Sequence, residues 1–188
     1  MVSDSRSLTS RMIRAAKLEV DLYEEVEADT KANGQALQAV VVASLAGGVG
    51  GSIAGLSVEG GPSFFWGLVF GLLAAIVGWV TFAVLTYWLG TTIFRGPQTS
   101  ATYGELLRTI GFSNSPRVLT FFVFIPVLGG LIAFAASMWA LIAAGIAVRQ
   151  ALDFSTARAI GTCVVGWIIS TLLTYLIIIL MFGGEQLF

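Results

Sequence analysis

Arg149, Asp153 and Arg158 stand four and five residues apart in one polar stretch between long apolar runs. That spacing sets a carboxylate between two guanidiniums, which suits charge-assisted hydrogen bonding. Glu105 and Arg108 are three apart and share one helical face. Arg117 follows them, and Glu24, Glu25 and Asp29 gather near the N-terminus. The chemistry open to these nine residues is ion pairing: a network that locks the cytoplasmic face of the molecule, or a surface that takes a partner there. Catalysis is poorly served. The chain has no histidine and a single cysteine, Cys163, inside an apolar run. Metal sets built on His and Cys, and Ser-His-Asp or Cys-His centres, are thereby excluded. A paired-aspartate site would need a partner for Asp153 from the N-terminal half. No enzyme, no cofactor and no metal is expected.

The elements that must position these residues follow from composition. The 188 residues are 56% hydrophobic and 11% charged, with a net charge of −1. Soluble domains carry about 25% charged residues. So few charges cannot cover a water-facing surface, and more than half of them fall in the first 31 residues. There is no basic stripe for nucleic acid. No apolar leader opens the chain, so insertion is expected to use internal segments.

Over residues 8–29, Leu8, Met12, Ala15, Leu18, Leu22 and Val26 recur at intervals of three or four. This predicts one helix with one apolar face, capped by Ser7 or Thr9. Its bases come first (Arg6, Arg11, Arg14, Lys17) and its acids last (Glu19 to Asp29), against the helix macrodipole. Packing must therefore hold it, on lipid headgroups or on the protein's own bundle.

Apolar runs at 36–56, 64–94 and 157–182 are long enough to cross a bilayer. The first carries Gly47, Gly51 and Gly55, and the second carries Gly67, Gly71 and Gly78. These bare faces predict close pairing of the two helices across the short turn at 57–63. Within the polar loop 95–117, Thr102 and Glu105 have the spacing of a capping box, and the short amphipathic turn that follows is expected to stop at Gly111. Residues 118–148 are uncharged and interrupted by Pro126 and Gly129-Gly130. They form either one long helix or two, 118–128 and 131–148. Trp66, Trp79, Trp88, Trp139 and Trp167 are expected to anchor at interfaces or pack.

Lysine and arginine concentrate in cytoplasmic loops. Five crossings put all ten bases of this chain on one side. A single helix over 118–148 would strand Arg149 and Arg158 on the other. The expected fold is all-α: a polytopic membrane helical bundle of five transmembrane helices (residues 35–182), an N-terminal amphipathic cytoplasmic helix (1–34) and a short tail (183–188). The N-terminus lies inside and the C-terminus outside. No charge falls at the centre of a predicted span, which argues against ion-coupled transport.

The run at 103–116, YGELLRTIGFSNSP, resembles the Yip1 domain family, whose members carry a Gly-aromatic pair followed four residues later by proline. Gly111, Phe112 and Pro116 match that pattern. Trp139, the DFSTARA run at 153–159, the YEEVEAD run at 23–29 and Gln35-Ala36 are similar to prokaryotic members. The resemblance implies five transmembrane helices with a cytoplasmic N-terminus, in a prokaryotic plasma membrane. Eukaryotic members are linked to Rab GTPases and vesicle traffic. Their Asp-Leu-aromatic-Gly-Pro motif is present here only as Asp21-Leu22-Tyr23, followed by Glu24-Glu25. The expected role is non-enzymatic: organising membrane or recruiting partners at the cytoplasmic face. The alternative is a small-solute or lipid permease or channel working as an oligomer. The expected partners are the lipid bilayer and a cytoplasmic protein or a second copy of the chain, with no nucleic acid.

Overall fold

A computed structural model describes residues 6–56, 64–97 and 99–182. Among them every regular element is helical. The order is α1 (Leu8–Ala16), α2 (Val20–Ala28), a 3-10 turn (Thr30–Ala32), α3 (Asn33–Gly55), α4 (Phe64–Thr91), α5 (Tyr103–Ser113), a 3-10 helix (Ser115–Phe124), α6 (Gly129–Ala151) and α7 (Thr156–Phe182). The tail expected at 183–188 lies outside the described residues.

Among the described residues four helices are long and apolar enough to cross a membrane: α3 with its leading turn, α4, α6 and α7. Their large side chains face outward, with Phe65, Phe70, Leu73 and Val77 on α4 and Ile160, Ile168 and Leu172 on α7 all exposed. Apolar surface on that scale is stable only against lipid. The chain is an integral membrane protein. At ~1.5 Å per residue, α4 with its 28 residues reaches about 42 Å, more than a ~30 Å core requires.

The expected single N-terminal helix is in fact a helical hairpin. It breaks at Leu18, whose φ is 63°. The Leu18 and Glu19 N–H groups donate back to the Ala15 and Arg14 carbonyls at 3.0 and 3.1 Å. The reason lies in the order of charges. A straight helix would set its acids against its own C-terminal dipole. Folding back brings the bases of α1 onto the acids of α2. Ser7 caps α1, accepting from the Ser10 N–H at 3.3 Å. The apolar face docks on the bundle, with Ala15, Leu22, Tyr23 and Val26 fully buried in the core.

Residues 118–148 are two elements. The chain turns between Phe124 and Gly129, with Val127 at φ 68° and the Gly129 N–H donating to the Ile125 carbonyl at 2.9 Å. A side-chain carbon at Gly129 would collide with the Val123 carbonyl. The first arm is not a span-length α-helix. It is a 3-10 helix of 10 residues, which at ~2.0 Å per residue covers only about 20 Å. Pro116 opens it, and the β-branched and aromatic run behind it (Val118, Thr120, Phe121, Phe122, Val123, Phe124) is weakly helix-forming.

That arm lies against α3. A Cβ at Gly47 would stand 2.6 Å from Thr120 Oγ1, and one at Gly50 would collide with the Phe121 carbonyl. The glycine-lined helix therefore admits the backbone of the 3-10 helix. Of the glycines expected to pair α3 with α4, Gly67 does so, against Ser52, and Gly48 joins it against Leu68. Gly51, Gly55, Gly71 and Gly78 have open space where a Cβ would be.

Helix α5 sits inside the bundle. Thr102 and Glu105 close its capping box, with the Thr102 N–H donating to Glu105 Oε2 at 2.7 Å. Leu106, Ile110 and Phe112 are buried. Gly111 does not stop the helix as expected. It lets α5 cross α3, since a Cβ there would stand 2.7 Å from Ala36 Cβ.

Candidate functional site

Two polar constructions stand out in a molecule otherwise built from apolar contact. The first is the join between the N-terminal hairpin and the bundle. Arg11 is only 2% exposed, yet every arm of its guanidinium is engaged. Nε and Nη2 donate to Glu25 Oε1 at 3.0 and 2.8 Å. Nη2 also donates to Asp29 Oδ2 at 2.8 Å, and Nη1 to Gln35 Oε1 at 2.7 Å. One side chain thus ties α1, α2 and α3 together. Arg14 adds Glu25 Oε2 at 2.6 Å and Glu19 Oε2 at 3.1 Å. The Arg11 hydrogen bond holds Asp29 below the usual carboxylate range. Burial pushes Glu25 up, but hydrogen bonds from Arg14 and Arg11 outweigh it and leave Glu25 lowered.

Arg108 performs the matching task from α5. It is buried, and its Nε donates to the Val26 carbonyl at 3.0 Å. Nη2 donates to the Glu27 carbonyl, and Nη1 reaches Asn33 Oδ1 at 3.5 Å. The last carbonyls of a helix lack intrahelical partners and carry the negative end of its dipole. A guanidinium there satisfies both demands at the end of α2.

The nine charged residues singled out in the sequence are distributed as follows. Glu25 and Asp29 are in ion pairs, both with partners outside that set, Arg11 and Arg14. Glu24 accepts from Gln150 Nε2 at 2.7 Å. Glu105 closes the α5 cap and Arg108 binds carbonyls. Arg149, Asp153 and Arg158 are exposed. The Arg158 guanidinium lies over Gly96 and would have to move aside for a side chain there. What acts on Glu27 instead is acid, the charges of Glu105, Asp153 and Glu24. Burial first, then those three carboxylates, push Glu27 up to about 7, against the pull of Arg108. Sequence spacing could not show Arg11 as the hub, because its partners lie 14, 18 and 24 residues away.

The second construction is a cavity of about 490 Å³ enclosed by α4, α5, α6 and α7. Gly78, Trp79, Ser137, Leu141, Trp167 and Thr171 line it at the mid-length of three spans. Ser113, Asn114 and Arg117 enter from the end of α5. Arg117 therefore does not belong with the network at the polar end. It is exposed and lines the cavity beside residues at the mid-length of α4, α6 and α7, where no charge was expected. Ion pairing to Arg117 is absent among the described residues.

The tryptophans divide between packing and exposure. Trp79 Nε1 donates to the Leu107 carbonyl at 3.0 Å, fixing α5 on α4. Trp139 Nε1 donates to the Ala16 carbonyl at 2.8 Å, fixing the end of α1 on α6. Trp66 and Trp88 are exposed.

Among the described residues no three His, Cys, Asp or Glu side chains converge as a metal set. The family model described as the Yip1 domain matches residues 21–178. No curated protein and no solved structure matches the chain.

Proposed function

The chain belongs to the Yip1 domain family, and from that premise we propose that it is a non-enzymatic membrane protein that presents a fixed cytoplasmic platform for recruiting partners. The observation that carries this is the double clamp of Arg11 and Arg108 on the N-terminal hairpin. A hairpin held only by its apolar face could slide or lift. This one is pinned at α1, at the C-terminal end of α2 and at the start of α3. Its outward residues Asp21 and Glu24, with neighbouring Asp153, are exposed on a surface whose geometry does not depend on a partner. A partner docking over Asp21, Glu24 and Asp153 meets carboxylates and is expected to offer a basic contact.

The orientation rests on charge. All ten Lys and Arg residues lie in segments that five passages would leave on, or reach from, one side. In this reading α5 and the 3-10 helix together make the third passage, entering from the clamped end and turning at Val127. The N-terminus and the α6–α7 connection are cytoplasmic, and residues 57–63 and the C-terminus are outside. The membrane is a prokaryotic plasma membrane.

A photo-reactive residue at Glu24, compared with one at lipid-facing Ile168, tests the platform in native membranes. Protein adducts from position 24, and lipid adducts alone from 168, are expected. Solute flux through purified protein in liposomes, abolished by substitutions within the helices that spare the clamp, would contradict it.

A further inference from the structure

The geometry points to the cavity between α4, α5, α6 and α7 as a binding site for an anionic membrane lipid, its head held by Arg117 and its chain lying along the apolar side chains of the lining. Three observations carry this. The volume, about 490 Å³, falls inside the ~300–1,000 Å³ range of ligand pockets. The lining is divided. Ala74, Ala75, Phe82, Leu141 and Ala144 make an apolar wall, with the hydroxyl residues Ser137, Ser170 and Thr171 set among them, while Ser113, Asn114 and Arg117 come in from the end of α5 and the turn after it. And the cation has no countercharge: the ion pairs among the described residues all belong to Arg11 and Arg14.

An arginine that opens onto a cavity among membrane spans without an ion-pair partner marks a pathway or a ligand. Two local donors are already committed. Ser113 Oγ donates to the Ile110 carbonyl at 2.8 Å, and Asn114 Nδ2 donates to the same oxygen at 2.9 Å. The Arg117 guanidinium keeps its donors, in the fork geometry that suits a phosphate or carboxylate. The walls are lipid-like, and the surrounding helices expose Val77, Val80, Ile142 and Ile168 to the bilayer. A ligand with one anionic group and an apolar chain satisfies both ends at once. A soluble anion satisfies only the first.

The test is lipid binding to the purified full chain by native mass spectrometry. Dioleoyl phosphatidylglycerol, dioleoyl phosphatidylcholine and inorganic phosphate are the probes. One phosphatidylglycerol per chain is expected, at least tenfold tighter than phosphatidylcholine. Arg117→Gln should weaken it at least tenfold, while Arg117→Lys should stay within about threefold of the native chain. Gly78 borders the cavity with open space at its Cβ position. Gly78→Leu should therefore block binding with Arg117 intact. Displacement of the lipid by millimolar phosphate would confirm the anion site and assign its source to a soluble anion, overturning the lipid assignment. Equal binding of the two lipids would overturn the proposal. So would a native-like affinity in Arg117→Gln, or equal losses in Arg117→Lys and Arg117→Gln.

Discussion

Arg108 Nε lies 3.0 Å from the carbonyl oxygen of Val26, 82 residues away in sequence. A buried guanidinium at the heart of the bundle thus closes the end of a helix that precedes every membrane span. The relationship explains why the N-terminal hairpin is part of the fold rather than an appendage. It also sets the first prediction.

Replacing Arg108 with Ala strands the Val26 and Glu27 carbonyls in a buried site. An unsatisfied buried group costs about 1–3 kcal/mol, so a loss of about 2–4 kcal/mol is expected. Hydrogen exchange over residues 20–33 should rise, while exchange in α4 and α7 stays unchanged. Arg108→Lys should recover only part of the loss, because an ammonium cannot span both carbonyls and Asn33 together.

Gly50 and Gly51 separate two kinds of glycine on one helix. Gly50→Ala drives a methyl into the Phe121 carbonyl, a backbone atom with nowhere to go. Overpacking of this kind costs about 1–3 kcal/mol. Gly51→Ala meets nothing within 4 Å and gains helix propensity of about 0.5–1 kcal/mol. Thermal unfolding in detergent should fall for the first substitution and hold or rise for the second.

Much of the scaffold was legible in the sequence, for local reasons. The spans follow from uninterrupted apolar length. The cap at Thr102 and Glu105 follows from a three-residue spacing, and the break before Gly129 from a glycine pair. The partners were less legible. Glycine spacing marked a face of α3 open to backbone approach, but not that the 3-10 helix would fill it. Arg108 was read with Glu105 because a carboxylate three residues away is visible in sequence. A carbonyl at Val26 is not, since every residue carries one. Arg117 was placed with the polar loop because it borders one. Only the path of α5 into the bundle brings it to the cavity.

Acid should undo the clamp. Asp29 and Glu25 are lowered in the folded state, so their contribution is present above the ordinary carboxyl values, 3.8 and 4.5. It is lost as pH falls through the lowered folded values. Hydrogen exchange over residues 8–29 should rise below about pH 4. Arg11→Met should shrink that acid limb to the part that Arg14 supplies through Glu25 and leave the hairpin loosened at every pH.

Glu27 gives the opposite sign. Its folded value is raised to about 7 from 4.5. Below 4.5 both states are protonated and nothing is lost. Between 4.5 and about 7 the unfolded chain ionises first, so stability falls as pH rises, and the penalty is complete above about 7. Glu27→Gln should match the native melting temperature at pH 5 and exceed it at pH 8.

The cytoplasmic platform stands or falls with the sidedness of the clamped end. Single cysteines at Glu24 and at Val127, which is 98% exposed at the tip of the turn, can be placed in a Cys163→Ser background. Labelling intact cells with a membrane-impermeant maleimide then reads each position. The account predicts that position 127 reacts from outside while position 24 reacts only after the membrane is opened. Reaction of both from the same side would contradict it.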